Sequence, residues 1–415
     1  MYIADLHIHS HHARATSRES DLPHLVWWAQ RKGIGLLGTG DCTHPAWRAA
    51  LRAQLEPAGE GVYALRPAYR LACATPGDAP RLVVTGEVDT VYRRDGRSRR
   101  VHHLLVLPDL DAADALAARL APYGDLCADG RPTLRLDSRD LLALLLTVSP
   151  AAMLIPAHIW TPHYGLLGAA TGFDSLAACF GDLAPAIRAV ETGLSADPPM
   201  LWRVSALDGL TLLSHSDAHA PSKLGREADL LTGARDYPAL RRALCTGAGL
   251  AGTIEFFPAA SKYHQDGHRR CGVCLSPAQA DAHGGRCPVC GKPLTIGVAH
   301  RVAQLADRPA GYRPPDAKPF ERLLPLSAVV AAALGVSEAA KRTRTLCDRL
   351  LDELGSAFYI LRRAPLADVR AVAGEGVATA LGRLRAGDVP CRPGYDGRFG
   401  AVELLTPDEI AALRG

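Results

Sequence analysis

Over residues 1 to about 255 the chain alternates short apolar runs of β type with longer stretches in which apolar residues recur every three or four positions. Seven runs predict strands, at 2–7, 34–39, 82–87, 101–107, 153–158, 187–191 and 211–215. Between the first two lies a helix with legible ends. Asp21 is its N-cap, Pro23 falls in the first turn, Leu22, Leu25, Val26 and Ala29 share one face, and Gly33 stops it. Apolar strands alternating with helices predict a parallel sheet covered on both faces. Ligand-type polar residues gather at the C-terminal ends of these runs, which predicts a closed or distorted β/α barrel with its reactive face there. An open doubly wound sheet is the alternative, but no glycine-rich phosphate fingerprint follows the first strand. Residues 256–310 change character, being rich in Pro, Gly, His, Cys and basic side chains, whereas 311–415 is mainly helical, with Leu346, Leu350, Leu351 and Leu354 on one face. The division expected is therefore 1–255, 256–310 and 311–415.

The 415 residues, 48% hydrophobic, suffice for one large core and a smaller appendix. Net charge is only +4, so any anionic partner must be sought in local basic clusters. No apolar run is long enough to span a bilayer and no leader pattern is present, so a cytoplasmic, nucleoid-associated protein without a membrane partner is expected. Of the eleven cysteines, Cys42, Cys73, Cys127, Cys179, Cys245, Cys347 and Cys391 are scattered and read mostly as small core residues.

The candidate chemistry lies at the strand ends. His7-Ile-His9 closes the first strand, and alternation puts both imidazoles on one face. Asp217-Ala-His219 follows the last strand. Glu87, His103 and His158 lie at or near the ends of others, and Asp41 and His44 occupy the loop after the second. Nine such groups on one rim suit divalent ions such as Zn, Mn, Mg or Fe, and a carboxylate such as Glu87 can bridge two of them. Ions about 3.5–4 Å apart activate water and clamp the attacking and leaving oxygens of a phosphate ester. His7, His9, Glu87 and Asp217 are the expected catalytic set.

Downstream, Cys271-Gly-Val-Cys274 and Cys287-Pro-Val-Cys290 form CxxC, twelve residues, CxxC, which predicts a tetrahedral structural zinc in a ribbon. His283, between the knuckles, reads as a surface residue. Lys262, Arg269 and Arg270 make this module cationic. Basic stretches at 93–100 (RRDGRSRR), 222–226 (SKLGR) and 341–344 (KRTR) suit a nucleic-acid backbone, with Lys223 and Arg226 as the expected phosphate contacts. Trp160, with His163 and Tyr164, follows the fifth strand and could stack on a base turned out of its helix.

The HxH, Thr-Gly-Asp turn, His-bearing strand and terminal DxH resemble the polymerase and histidinol phosphatase (PHP) superfamily. That resemblance implies a distorted (β/α)7 barrel with one ion on His7, His9, Glu87 and Asp217 and a second on Glu87, His103 and His158. A third would be shared by His219, Asp41 or His44, and a first-loop residue. His102 competes with His103, and His103 is preferred because it leads its strand as in the superfamily. Longer strings, including PAHIWTPHYG, AVETGLSADPPMLWRVSALD, SHSDAHAPSKLGREA, KYHQDGHRRC, CPVCGKPLTIGV and PGYDG, resemble the endonuclease Q family across nearly the whole chain. This implies a DNA repair nuclease that nicks 5′ of uracil, hypoxanthine, xanthine and abasic sites and leaves 3′-hydroxyl and 5′-phosphate ends. The competing expectations are a small-molecule PHP phosphatase, an amidohydrolase and a non-catalytic DNA-binding accessory. The C-terminal stretch ELLTPDEIAALRG shows no clamp-binding peptide, so damaged DNA is the expected partner and a sliding clamp is not.

Overall fold

In the computed structural model, which describes residues 1–387 and 389–413, all seven predicted strands form. They are β1 (Tyr2–Asp5), β2 (Ile34–Gly38), β3 (Arg81–Arg94), β4 (Arg97–Leu107), β5 (Met153–Pro156), β6 (Ala189–Glu191) and β7 (Thr211–Leu213). β1, β2 and β3 pair in parallel, as do β6 and β7. The predicted helix is α1 (Leu22–Lys32). Asp21 caps it by accepting from the His24 N–H at 3.0 Å, and Gly33 ends it in the left-handed region at φ 82°, where glycine is unstrained. Its buried face is Leu22, Leu25, Val26 and Ala29, which pack into the main core.

One strand departs from the expected parallel order. β4 runs antiparallel to both of its neighbours, β3 and β5. The cause is a hairpin whose tip, Asp95-Gly96, has both residues at positive φ (53° and 72°), the conformation of a type I′ turn. The barrel is therefore distorted and closes loosely. β5 meets β6 through the Ile159 N–H donating to the Glu191 carbonyl at 3.2 Å, and β7 meets β1 through the Ser216 N–H donating to the Asp5 carboxylate at 3.0 Å.

The sheet also runs on past β1. Strand Ala228–Leu231 pairs antiparallel with β1 and with Leu250–Glu255, whose far edge takes Phe320–Arg322. Beyond this last strand come five helices, Leu326–Leu334, Lys341–Leu354, Ala357–Arg362, Leu366–Ala373 and Glu375–Ala386. A hairpin of Cys391–Arg392 and Ala401–Val402 then returns to the cysteine module. Residues past 311 thus contribute one strand to the barrel sheet and one loop to the ribbon. Among the described residues no helix is long and apolar enough to cross a membrane.

Candidate metal centre

The HxH imidazoles are wholly buried and each is braced from behind. His7 Nδ1 faces the Glu191 carboxylate at 3.0 and 3.2 Å, and His9 Nδ1 faces Asp41 Oδ1 at 2.9 Å. The Ser10 N–H and Oγ–H hold the other Asp41 oxygen at 2.7 and 2.6 Å. Backed in this way, both rings turn Nε2 toward one point. Glu87 Oε2 lies 3.4 Å from His7 Nε2 and 3.2 Å from His9 Nε2, and Asp217 Oδ1 lies 3.2 Å from His9 Nε2. The four ligand atoms lie within 4.8 Å of one another. A second group shares the same glutamate: Glu87 Oε1 is 2.7 Å from His102 Nδ1 and 3.2 Å from His158 Nε2. Arg131 Nη1 sits 3.1 Å from Oε2. Glu87 thus turns one oxygen to each group.

Electrostatics and hydrogen bonding suit cations here. Burial pushes the Glu87 carboxyl up, but His102, Arg131 and His7 outweigh it and hold it well below its usual range. At Asp217 burial is likewise overcome, by His9, His7 and His219. Burial disfavours imidazolium at His7 and His9, yet Glu191 and Glu87, and Asp41 and Asp217, raise both well above ordinary histidine. His7 Nε2, His9 Nε2 and Asp217 Oδ1 are buried and make no hydrogen bond. An unmet polar atom of this kind costs about 1–3 kcal/mol, so three converging on one point fit divalent ions that take their lone pairs. Backbone strain collects here too. Asp41, His158 and Asp217 have φ of 46°, 31° and 47°, a region that non-glycine residues enter at a cost.

Several sequence-based assignments shift. His103 does not join the second group. In the β3–β4 ladder Val88 pairs with His103 and Asp89 with His102, so the face that carries Glu87 and Asp89 also carries His102, while His103 points to the other side. There it meets Ser138 Oγ at 2.9 Å, and burial with neighbouring His102 lowers its pKa to about 3. Asp41 braces His9 rather than facing the shared point. His44 caps helix Pro45–Gln54, approaches the Cys127 carbonyl at 3.2 Å and stacks on His12 at 4.1 Å. His219 stands beside Asp217 Oδ1 at 3.5 Å, outside both groups. Among the described residues two groups of barrel donors converge, His7, His9, Glu87 and Asp217, and Glu87, His102 and His158. Reading the strand ends missed Glu191, which joins His7, the His158 N–H (3.1 Å) and His215 (2.7 Å); it ends β6, and that position was its signal.

Around these groups opens a cleft of about 750 Å³, bordered by Arg14, Arg100, Arg131, Arg226, Lys262 and Tyr164. Arg226 points inward, donating to the Ser216 and Asp217 carbonyls at 2.7 and 3.0 Å. Lys223 instead pairs with Glu338 at 3.4 Å, away from the cleft. Trp160 is fully buried, so its indole is core and unavailable for stacking. Arg269 and Arg270 are exposed on the ribbon.

The ribbon gathers donors of its own, and a histidine stands among them. His268, Cys271, Cys287 and Cys290 bring their donor atoms within 4.8 Å of one another, whereas Cys274 stays outside. Each knuckle ends in a cysteine followed by a left-handed glycine, Gly272 (φ 68°) and Gly291 (φ 69°). His-Arg-Arg-Cys-Gly and Cys-Pro-Val-Cys-Gly are thus equivalent turns, and Cys274 lies three residues past Cys271, in the middle of the next strand, Val273–Leu275.

The fold and these donors define the class: an α/β barrel with metal-capable donor groups at its strand ends and a separate thiolate-rich group on an appended ribbon. No protein-family model matches the chain. It is 27% identical over 253 residues to the uncharacterized protein MJ0043 of Methanocaldococcus jannaschii, spanning only 31% of that protein, and 27% identical to YqxK of Bacillus subtilis over 91% of each. The solved structure of the lesion-specific endonuclease PfuEndoQ from Pyrococcus furiosus superposes with a TM-score of 0.84 at 30% identity, covering 99% of this chain and 96% of that one. An endonuclease Q bound to a 27-mer duplex with an abasic lesion at its active site gives 0.85 at 30% identity, covering 100% and 98%. The chain belongs to the endonuclease Q family.

Proposed function

We propose that this protein is a metal-dependent, lesion-specific DNA repair endonuclease that hydrolyses the phosphodiester 5′ of deaminated bases and abasic sites, acting at the nucleoid. The observation that carries the reading is Glu87, shared between two donor groups at the floor of a cation-lined cleft, in a chain alike from end to end to endonuclease Q.

His7, His9, Glu87 and Asp217 would hold one divalent ion, and Glu87, His102 and His158 a second. Such ions supply an activated water and neutralise charge developing on the phosphate. The chain's own residues prepare the ground. Glu191 and Asp41 fix the imidazole tautomers so that Nε2 faces the cleft, the role usual for carboxylates behind metal-binding histidines. Arg226 ties down the backbone of Ser216 and Asp217 and so holds the Asp217 carboxylate in place. Arg131 brings a fixed positive charge beside Glu87, and Arg14, Arg100 and Lys262 give the cleft the charge that a DNA backbone requires. The ribbon, with Arg269 and Arg270 exposed, extends that surface over duplex on one side. Extrusion of the damaged nucleotide is cheapest where pairing is already weakened, which gives the cleft a source of selectivity.

The test is incubation of the purified protein with labelled duplexes carrying uracil, hypoxanthine or an abasic site, beside undamaged duplex and a phosphomonoester, with and without chelator. Chelator-sensitive nicking on the 5′ side of lesions alone, with 3′-hydroxyl ends, is the expected result. Release of phosphate from the monoester with intact duplexes would assign the site to a small-molecule phosphatase.

A further inference from the structure

Among the described residues, three large apolar side chains are more than half exposed: Met1, Val289 and Phe399. Phe399 alone of these borders the cleft, and it is 67% exposed. A phenyl ring left this open forgoes most of the burial that ordinarily stabilises it, so a contact surface is the natural reading of its position.

The ring stands on a stiff mount. Asp396-Gly397 forms a tight turn with both residues at positive φ (43° and 83°), closed by reciprocal Tyr395 and Arg398 backbone hydrogen bonds of 3.0 and 2.8 Å. Four further backbone bonds tie this loop to the start of the ribbon region: Gly394 N–H to the Ala259 carbonyl, Gln265 N–H to Gly394, Gly397 N–H to Lys262 and Gly400 N–H to Ala260, at 2.8 to 3.0 Å. Asp396 accepts from the Thr295 hydroxyl and the Arg269 N–H, both at 2.7 Å. Glycine is required where the strands touch, since a Cβ on Gly394 would lie 1.9 Å from the Ser261 carbonyl oxygen. The Lys262 ammonium lies 4.8 Å from the Phe399 ring centroid, so a cation accompanies the ring toward the cleft. Tyr164, Phe256 and Tyr263 line the same cleft but are half-buried, as walls rather than projections.

We propose that Phe399 is a wedge: it enters the base stack at the lesion, fills the space left by the extruded nucleotide, and is held there by a rigid loop while Lys262 meets the adjacent phosphate. The proposal rests on the nuclease reading above and names the residue that makes extrusion cheaper. Apolar side chains inserted between base steps act in this way, and an aromatic ring stacks on any base regardless of sequence.

The test measures nicking by wild type, Phe399→Ala and Phe399→Trp on one lesion in two settings, fully paired duplex and single strand. Phe399→Ala is expected to lose about 10- to 100-fold on paired duplex, at least tenfold more than on single strand, where nothing needs unstacking, with Phe399→Trp restoring duplex nicking. 2-Aminopurine placed opposite the lesion should brighten on binding of wild type and less so with Phe399→Ala. Equal losses in the two settings, or none in duplex, would overturn the wedge while leaving the nuclease reading intact. Wild type that leaves every lesion uncut would overturn both.

Discussion

The barrel and the ribbon each gather metal donors, but by opposite means. In the barrel they come from five segments, at His7/His9, Glu87, His102, His158 and Asp217, and only the packing of the strands brings them together. In the ribbon, two turns of the same local form supply everything within 23 residues, His268 to Cys290. A site assembled by a sheet inherits its precision from strand register and from buried acids behind the ligands. A site assembled by knuckles inherits it from left-handed glycines and needs little support. Among the described residues the ribbon's own apolar cluster buries just Ala280, Cys287 and Leu294, with Val273 and Leu275 half-buried against them, so its order should depend on the ion, whereas the barrel core should outlast the loss of its ions.

The sharpest break in the comparison is chemical. Asp217→Asn removes the negative charge from a donor at the shared point, and nicking should fall by about a thousandfold or more while duplex binding persists. Gel-shift and nicking assays on one preparation check this, and a variant that nicks at wild-type rate would remove Asp217 from the centre. Next in size is the ribbon. Cys271→Ser should lose its bound zinc and unfold the module, structural sites of this kind being worth about 10–16 kcal/mol, whereas Cys274→Ser should keep the ion. Cobalt substitution reads the donors directly, with charge-transfer intensity for three thiolates in wild type and in Cys274→Ser. A four-thiolate spectrum in wild type that drops to three in Cys274→Ser would return that cysteine to the site.

A smaller effect separates the adjacent histidines of β4. His102→Ala should weaken binding of the second ion by at least about a hundredfold and slow nicking with it, whereas His103→Ala, which strips a buried partner from Ser138, should cost about 1–3 kcal/mol of stability and leave metal affinity alone. Metal titration and thermal melts of both variants decide it, and the reverse pattern would restore His103. The smallest effect is on protons. His7 and His9 have raised pKa values, so near neutral pH their Nε2 protons must leave when an ion arrives. Affinity for the first ion should therefore rise with pH, by about tenfold per unit for each proton released. Calorimetry in buffers of different ionisation enthalpy counts those protons, and none released would contradict the arrangement.

The sequence was read well where information is local. All seven strands, α1 with its Asp21 cap and Gly33 stop, and the buried leucine face of Lys341–Leu354 were legible from periodicity and end signals. Donor types at the strand ends were legible too. What failed was orientation. Asp95-Gly96, a strong hairpin signal, lies inside a run of arginines read as a basic stretch, and with the hairpin went the reversed direction of β4 and the choice between His102 and His103. Arg99 of that stretch is in fact buried on the Gly172 carbonyl, and Arg100 pairs with Asp89 at 2.9 Å. His268 was not named among the donors because CxxC is the more familiar spacing, although the left-handed glycine after Cys271 repeats the one after Cys290. The bracing of His7 and His9 by Glu191 and Asp41 depends on contacts across 184 and 32 residues, which no local pattern encodes.

In the proposed centre Glu87 bridges two ions held by residues remote in sequence. Anomalous scattering from crystals grown with Mn²⁺ tests it directly. Two peaks are predicted astride the Glu87 carboxylate, one against His7, His9 and Asp217 and the other against His102 and His158, with the second lost in Glu87→Gln. A single peak, or one seated on His103 or His44, would contradict it.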